Sequence, residues 1–311
     1  MNANQHPRGL RLSLPATSAN LGPGFDAVGL ALSMHLTVEA HAARAFSIHA
    51  TGRDAELCGA LENNLILDTY RHILASALQP VQPLSIKIHN EIPLGMGCGS
   101  SAAAIVAGIM LADHFGDLQM GDKNIVWAAT QVEGHPDNVA ACYYGGFTTS
   151  AQNQTVSATA SMGVETATFP GDPSWEMLLA VPSASLATKT ARALLPESYS
   201  KADAVFNVQR AALLTAAFAQ GRPDLLRTAM QDRLHQPYRA DACPLLKTLL
   251  PLTEEFEIAG VALSGAGPSV LLFLAPETSL LAAETRLATL LDPSVELLPL
   301  RIAGGTEKTV L

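Results

Sequence analysis

Basic residues are few and scattered in this chain: Lys and Arg together number 19 of 311 residues and nowhere form a block. Against 28 Asp and Glu they leave a formal net charge of −9. A general nucleic-acid binder needs a basic face, so nucleic acid is excluded as a partner. Cysteine is also sparse. Cys58, Cys98, Cys142 and Cys243 stand far apart without a Cys-x-x-Cys pair, which argues against a zinc ribbon or a disulfide framework and fits a reducing compartment. Long apolar runs are missing: the longest, Ala102–Ala112, is too short to cross a bilayer. The opening MNANQHPRGL has no apolar signal core, so the expectation is a soluble cytoplasmic protein with no membrane partner. No internal repeat or low-complexity tract is found.

What is present is material for a core. Hydrophobic residues make up 48% of the chain and charged residues only 15%, which suits an ordinary globular protein, and the length suits about two domains. Leu10, Leu12 and Leu14 alternate with polar neighbours as in a half-buried strand. Pro15–Phe25 then reads as a loop of small and turn residues, and Val28–Val38 as one long strand. Leu84–Ile88 repeats the alternation. Helices are expected over Ala102–Phe115, closed by Gly116, and from a cap at Asp122 to Glu133, ended by Gly134. Ser150–Thr168, rich in Ser, Thr, Ala and Gln, reads as a β edge or a crossover between domains. Strand Met177–Val181, a short helical run to Leu195, helices over Ala202–Gln220, Pro223–Leu234 and Pro244–Leu252, and a strand–glycine turn–strand–helix–strand tail follow. Strands and helices mix without a regular βαβ alternation, so the class is α+β in two lobes, divided at 1–165 and 166–311.

The densest chemical signal is PLGMGCGSSAA, Pro93–Ala103. A strand ends at Ile92, glycines follow at 95, 97 and 99, and Ser100 and Ser101 open a helix. Glycines let backbone N–H groups approach a phosphate with no Cβ in the way. The helix start adds unpaired donors and partial positive charge, and a serine hydroxyl there can reach a Mg²⁺ bridging phosphates. The plain alternative is a glycine-rich turn with a serine N-cap. A Walker loop needs Lys before Ser or Thr, and none is present. Gly97-x-Gly99-x-x-Ala102 fits a loose dinucleotide fingerprint, but the acidic residue about twenty positions on, Asp122, opens a helix instead of ending a strand.

This loop resembles the ATP loop of the GHMP kinase superfamily, with Cys98 standing where Leu is usual. LPATSANLGPGFDAVGLAL (Leu14–Leu32), EGHPDNVAACYYGGF (Glu133–Phe147), ATKTARALLP (Ala187–Pro196), DRLHQPYR (Asp232–Arg239) and LSGAGPSVL (Leu263–Leu271) resemble segments of homoserine kinases within it. The resemblance implies an N-terminal lobe with a left-handed βαβ unit and a ferredoxin-like C-terminal lobe, with ATP in the cleft between them. It implies transfer of the ATP γ-phosphoryl group to the hydroxyl of L-homoserine in threonine biosynthesis, Mg²⁺ as cofactor, and a homodimer.

The same resemblance, weighed against what the substrate needs, gives residue roles. Homoserine is a zwitterion. Arg192 and Arg239 suit its carboxylate, since guanidinium pairs with it in a planar two-point geometry, and Thr188 shares a helical face with Arg192. Asp26 suits the ammonium, and Asn20, His135 and Asn138 are further substrate contacts. Asp137 reads as the N-cap of the next helix. Glu133 with Ser100 or Ser101 is the candidate Mg²⁺ set, although only Gly134 separates Glu133 from His135, closer than in some family members. Pro93, Leu94, Gly95, Met96, Gly97, Cys98, Gly99, Ser100, Ser101, Ala102 and Ala103 form the nucleotide loop, Asn64 a contact near base or ribose, and Gly265 and Gly267 a close backbone approach to substrate. Lys87 and Lys189 are the nearest cations in sequence and read as solvated. No residue announces itself as general base, so the oriented hydroxyl is expected to attack directly. Two other readings remain at this point: a GHMP kinase for a different alcohol such as mevalonate, and a nucleotide-binding regulator without catalysis. The segment Gln79–Pro83 has no functional reading.

Overall fold

Two sheets, each built from strands whose apolar residues point into shared cores, organise the chain. A computed structural model describes residues 9–153, 163–172, 174–185, 188–255 and 257–311, the side chains of Thr188 and Lys189 excepted. The first sheet begins with β1 (Leu10–Asn20) and β2 (Gly24–Ala42), antiparallel, with register shifts at Pro15/Ala16 and Ala19/Asn20. The stretch Pro15–Asn20, expected as loop, is therefore strand, and the true turn is only Leu21–Pro23. Every residue of Pro15–Asn20 is buried, so there is no polar–apolar alternation to betray a strand. β3 (Ser47–Gly52) lies parallel to β4 (Leu84–Asn90), the crossover running through α1 (Ala55–Gly59) and α2 (Leu65–Ser76). Gln79–Pro83 is the return from α2 to β4, and the Gln82 carbonyl accepts from Tyr70 Oη at 2.8 Å.

The helix after the glycine loop, α3 (Ser100–Gly116), is buried almost all round. It packs against α2 and against α4 (Asp122–Glu133) and α5 (Asp137–Tyr144), the last of which lies on β1 and β2. Gly121, not Asp122, is the N-cap of α4. Within Ser150–Thr168 the described residues form the hairpin β5 (Phe147–Asn153) and β6 (Gly163–Phe169); positions 154–162 lie outside the described residues.

The second sheet holds β7 (Met177–Val181), β8 (Ile258–Leu263), β9 (Val270–Leu274) and β10 (Glu296–Leu300) in the order β10-β7-β9-β8, all antiparallel. Helices α6 (Thr188–Ala193), α7 (Lys201–Gln220), α8 (Leu226–Ala229), α9 (Gln236–Arg239) and α10 (Pro244–Leu249) fall between β7 and β8, and α11 (Leu280–Leu290) between β9 and β10. This is the βαββαβ order of a ferredoxin-like lobe. β7 is buried on both faces: Met177, Leu179 and Val181 join the main core, Leu178 and Ala180 the core under α10 and α11. β11 (Glu307–Val310) returns to pair with β1. All four of its residues are exposed, so no hydrophobic pattern announces it.

Phe218 of α7 stacks on Phe147 of the first sheet (ring centroids 4.0 Å apart) and meets Trp175 and, edge-on, Phe273 of the second sheet. Phe218→Ala is expected to lower unfolding stability by about 3–5 kcal/mol, measured by denaturant titration, because the void opens where both sheets meet.

The expected helix Pro223–Leu234 is broken. Only a 3₁₀ turn at Pro223–Leu225 and the single turn of α8 form. Asp232 ends the pattern because its carboxylate captures the N–H groups of Leu234, His235 and Gln236 at 2.8, 3.0 and 2.7 Å. A short acid side chain competing for backbone donors redirects the chain and sends α9 toward the cleft.

Candidate active site

The glycine loop is tied down by its carbonyls and left open at its amides. Thr17 N–H donates to Cys98 O (3.0 Å), Ser264 Oγ–H to Gly97 O (2.8 Å) and Ser269 N–H to Met96 O (3.4 Å). Among the described residues nothing accepts from the N–H groups of Gly95 to Gly99. Gly97 and Gly99 have φ of +77° and +67°. A Cβ at Gly97 would lie 2.2 Å from Ser264 O, and one at Gly99 1.8 Å from Thr17 Oγ1, so only glycine fits. Open amides at the start of a long helix make an anion cradle. Cys98 is 1% exposed and points into the core, where burial pushes its thiol up to about 12.

Two adjoining cavities share Ser100 and Ser101. The larger, ≈ 470 Å³, has apolar walls from Leu57, Ile66, Ile88, Ile92 and Leu94. Asn64 borders it, but its amide caps α2 through Leu67 N–H and donates to the Cys58 and Ala60 carbonyls at 3.0 Å each. It shapes this wall. The smaller, ≈ 210 Å³, is polar and is lined by Asn20, Asp26, His135, Asn138, Arg192, Arg239 and Gly265. Six of the seven residues expected to hold the acceptor thus converge from β1, β2, α5, α6 and α9 and the approach to α5. The seventh, Thr188, opens α6 one turn before Arg192. Lys87 stands exposed on β4 beside Glu39.

The structure also shows how these groups are held. Asp26 and Arg192 bind each other in a bidentate pair (2.7 and 2.8 Å), and the Asp26 hydrogen bond holds the guanidinium above its usual pKa. Asn20 (φ +71°) and Asp26 (φ +56°) both lie in the left-handed region, which Asn and Asp tolerate better than most residues. Asn20 accepts from Asp26 N–H (3.0 Å) and donates to Gly265 O (2.9 Å). It braces the turn against the second lobe. Asn138 Oδ1 accepts from Thr17 Oγ–H at 2.7 Å and so supports Gly99 from beneath. Gly265 lines the acceptor cavity, whereas the Gly267 carbonyl backs Gly97.

Pro136, not Asp137, is the N-cap of α5, and Asp137 is the first residue of the helix. Asp137 is 1% exposed and its Oδ1 accepts from Asn138 N–H and pairs with His135 Nδ1, each at 2.6 Å. Burial works against a charged imidazole at His135, but the hydrogen bond and charge of Asp137 prevail and raise its pKa. Glu133, the last residue of α4, accepts from Ser101 Oγ–H at 2.8 Å, and burial raises its carboxyl pKa. Among the described residues no Lys or Arg is ion-paired with it. A half-buried carboxylate and a serine hydroxyl facing the anion cradle are the hard oxygen donors a Mg²⁺ takes. Asp26, His135 and Asp137 also bring three ligand atoms within 4.8 Å of one another. Both Asp26 oxygens are already engaged by Arg192, and Asp137 Oδ1 and His135 Nδ1 by one another, so the Ser101–Glu133 pair fits the ion better.

Arg239 is 1% exposed, and among the described residues no carboxylate lies within hydrogen-bond reach of it. Its Nε donates to Ala191 O (3.2 Å), and its Nη1 to Gly265 O (3.4 Å) and to His235 Nδ1 (3.2 Å). Phe25, His235 and Asp232, absent from the sequence reading of the site, support it. Phe25 stacks on His235 and faces both Arg192 and Arg239, 5.4 and 5.6 Å from its ring centre. Phe25 and His235 lie inside motifs already recognised, but an aromatic and a buried His carry no chemical signature until their neighbours are known.

Burial, and then Arg239, depress the His235 pKa, against the opposing pull of Asp232 at 3.6 Å and the charge of Asp26. A histidine whose folded pKa lies below its unfolded value contributes stability above the unfolded value of about 6.5 and loses it as pH falls below that. The stability advantage of the protein over His235→Asn is therefore expected to shrink as pH is lowered from about 7 toward 5, read from thermal unfolding at each pH.

Fold and site together define a small-molecule kinase of the GHMP type. The GHMP kinases N terminal domain matches residues 64–146 and the GHMP kinases C terminal domain residues 214–291. A homoserine kinase of Solibacter usitatus is 47% identical over 265 residues, 84% of each chain, and one of Clavibacter michiganensis is 40% identical over 97% of this chain and 95% of its own. The chain belongs to the homoserine kinase family of the GHMP kinases. The crystal structure of homoserine kinase from Cytophaga hutchinsonii has the same fold (TM-score 0.78, 23% identity, 99% of this chain and 100% of that one). So does a Streptococcus pneumoniae phosphomevalonate kinase (TM-score 0.68, 14% identity, 96% and 100%), so the fold alone does not choose the alcohol. Among the described residues no helix is long and apolar enough to cross a membrane.

Proposed function

We propose that this kinase binds ATP across the two cavities and transfers its γ-phosphoryl group to the side-chain hydroxyl of L-homoserine, giving O-phospho-L-homoserine for threonine biosynthesis in the cytoplasm. One observation carries the substrate assignment: the polar cavity beside the anion cradle presents both signs of charge, Arg239, which has no carboxylate partner among the described residues, and the acids Asp26 and Asp137. An amino-acid zwitterion needs both, and mevalonate needs only the cation.

In this reading the larger apolar cavity takes the nucleoside, and the amides of Gly95–Gly99 hold the phosphates. Ser101 and Glu133, with Ser100 beside them, would hold Mg²⁺, which when bound supplies charge neutralisation between the phosphates. Arg239 receives the substrate carboxylate, Asp26 its ammonium, and Arg192 holds Asp26 in place. His135, oriented by Asp137, stands beside the hydroxyl. Phosphoryl transfer is governed by positioning and charge, so no side chain is assigned as an essential base. His135→Ala binding both substrates normally yet losing all turnover would overturn that point. A homodimer is the assembly expected from the sequence resemblance, and light scattering of the purified protein tests it.

The deciding assay is Mg-ATP-dependent ADP release with L-homoserine, L-serine, L-threonine and mevalonate. The expected outcome is turnover of L-homoserine at a kcat/KM at least about 10²-fold above the others, since a site built for a polar group rejects molecules that leave its partners unpaired. Turnover of mevalonate without L-homoserine would reassign the substrate, and ATP binding without ADP release from any alcohol would leave a nucleotide-binding regulator.

A further inference from the structure

His235 does not line the acceptor cavity. It is 0% exposed, beneath Arg239. Its two ring nitrogens face chemically opposite partners. Nδ1 is 3.2 Å from Arg239 Nη1, and Nε2 is 2.7 Å from the carbonyl of Gly22 in the Leu21–Pro23 turn. A guanidinium only donates and a carbonyl only accepts. The ring must therefore be neutral, with its proton on Nε2 and its Nδ1 lone pair toward Arg239. Phe25 stacks on the imidazole with centroids 5.5 Å apart. Asp232, its side chain fully buried, fixes the backbone of His235 and Gln236 and is itself held by Asn207 Nδ2 at 2.7 Å. Among the described residues nothing accepts from Arg239 Nη2.

We infer that His235 is a positioning residue for substrate recognition: it fixes the Arg239 guanidinium in one rotation, against the β1–β2 turn that leads into Asp26 on β2, and so sets the distance between the carboxylate and ammonium subsites. The inference rests on the reading that Arg239 receives the acceptor's carboxylate. The device has a clear physical need. A charged, long side chain in a cavity shared with a second guanidinium has several rotamers open to it, and a two-point contact with a carboxylate requires one of them. The Ala191 and Gly265 carbonyls restrain Nε and one edge of Nη1. The imidazole lone pair completes the set, leaving Nη2 for substrate. The same ring ties this guanidinium to Gly22, four residues before Asp26.

The two amide replacements separate the ring's contacts. Asparagine can place its Oδ1 near the position of Nδ1 and so keep an acceptor for Arg239. Glutamine reaches instead toward Gly22 and leaves Arg239 without that acceptor. His235→Asn is expected to keep KM for L-homoserine within about threefold, and His235→Gln to raise it about tenfold, as one charged hydrogen bond is worth. In both, kcat and KM for ATP stay within about threefold. With 2-aminobutane-1,4-diol, which keeps the amine and the hydroxyl arm and lacks the carboxylate, the difference between the two variants should vanish.

Equal KM in both variants, a fall in kcat with KM unchanged, or a penalty that persists on the diol overturns the inference. So does unfolding of both variants at the assay temperature, because His235 would then be a structural residue. Arg239→Lys assayed alongside tells the two levels apart. If it leaves KM for L-homoserine unchanged, the carboxylate reading itself fails. If it raises KM while the His235 variants do not, only the positioning role falls.

Discussion

Glu133→Gln is expected to lower kcat/KM for Mg-ATP by roughly 10²–10³-fold, the scale of losing one preorganised electrostatic partner at a reacting group. Glutamine keeps the size of the side chain and an oxygen to accept from Ser101 Oγ–H, so the local packing survives and only the charge goes. The carboxylate stands at the end of α4, where Gly134 (φ +96°) turns the chain away. Its sole hydrogen bond among the described residues is the 2.8 Å contact from a serine hydroxyl. Burial raises its pKa, meaning that the isolated anion is poorly solvated there, and a divalent cation relieves that cost. The check is steady-state kinetics across a magnesium titration. The variant should need far more Mg²⁺ to reach half its maximal rate, and Ser101→Ala should shift the same midpoint by less. Unchanged magnesium dependence in Glu133→Gln would move the ion to the Asp26–His135–Asp137 group.

Arg239→Lys is expected to raise KM for L-homoserine by about 10²-fold, within the range for disrupting a buried, hydrogen-bonded charge partner, with KM for ATP little changed. Lysine retains the charge but offers a point where the site is built around a planar fork. It cannot donate at once to Ala191 O, Gly265 O and His235 Nδ1 and still present a second edge to substrate. The contrast with Arg192 is informative. That guanidinium is 42% exposed at its side chain and already bidentate with Asp26, so Arg192→Lys is expected to have the smaller effect on substrate KM. Steady-state kinetics with L-homoserine varied at saturating Mg-ATP measures both. Equal losses at the two positions would mean that the carboxylate is shared between them.

The phosphate loop and the helix behind it were legible because their chemistry is local. Glycine at alternate positions, a preceding strand and serines opening a helix are backbone requirements written at adjacent positions. The alternating strands Leu10–Leu14 and Leu84–Ile88 were legible for the same reason. Where burial is complete, the pattern fails: Pro15–Asn20 looks like a loop and is the most enclosed part of β1. The run Pro223–Leu234 has helical periodicity, but Asp232 spends its carboxylate on three backbone amides and stops it.

The sequence by itself determined the class of chemistry, the α+β architecture and, through its motifs, the family and most of the polar residues that line the smaller cavity. These follow from local backbone needs and from residue types that few other chemistries require. The tertiary structure alone decided what each of those residues does. Asn20, Asn64 and Asn138 have amides committed to bracing the chain, Asp26 and Arg192 hold one another, and the Gly267 carbonyl backs the loop at Gly97. It also brought Phe25, Asp137, Asp232 and His235 to the site. The physical reason is that a hydrogen bond or a stacked ring is a relation between two surfaces. Thr17 and Asn138, 121 positions apart, become partners only when α5 packs on β1.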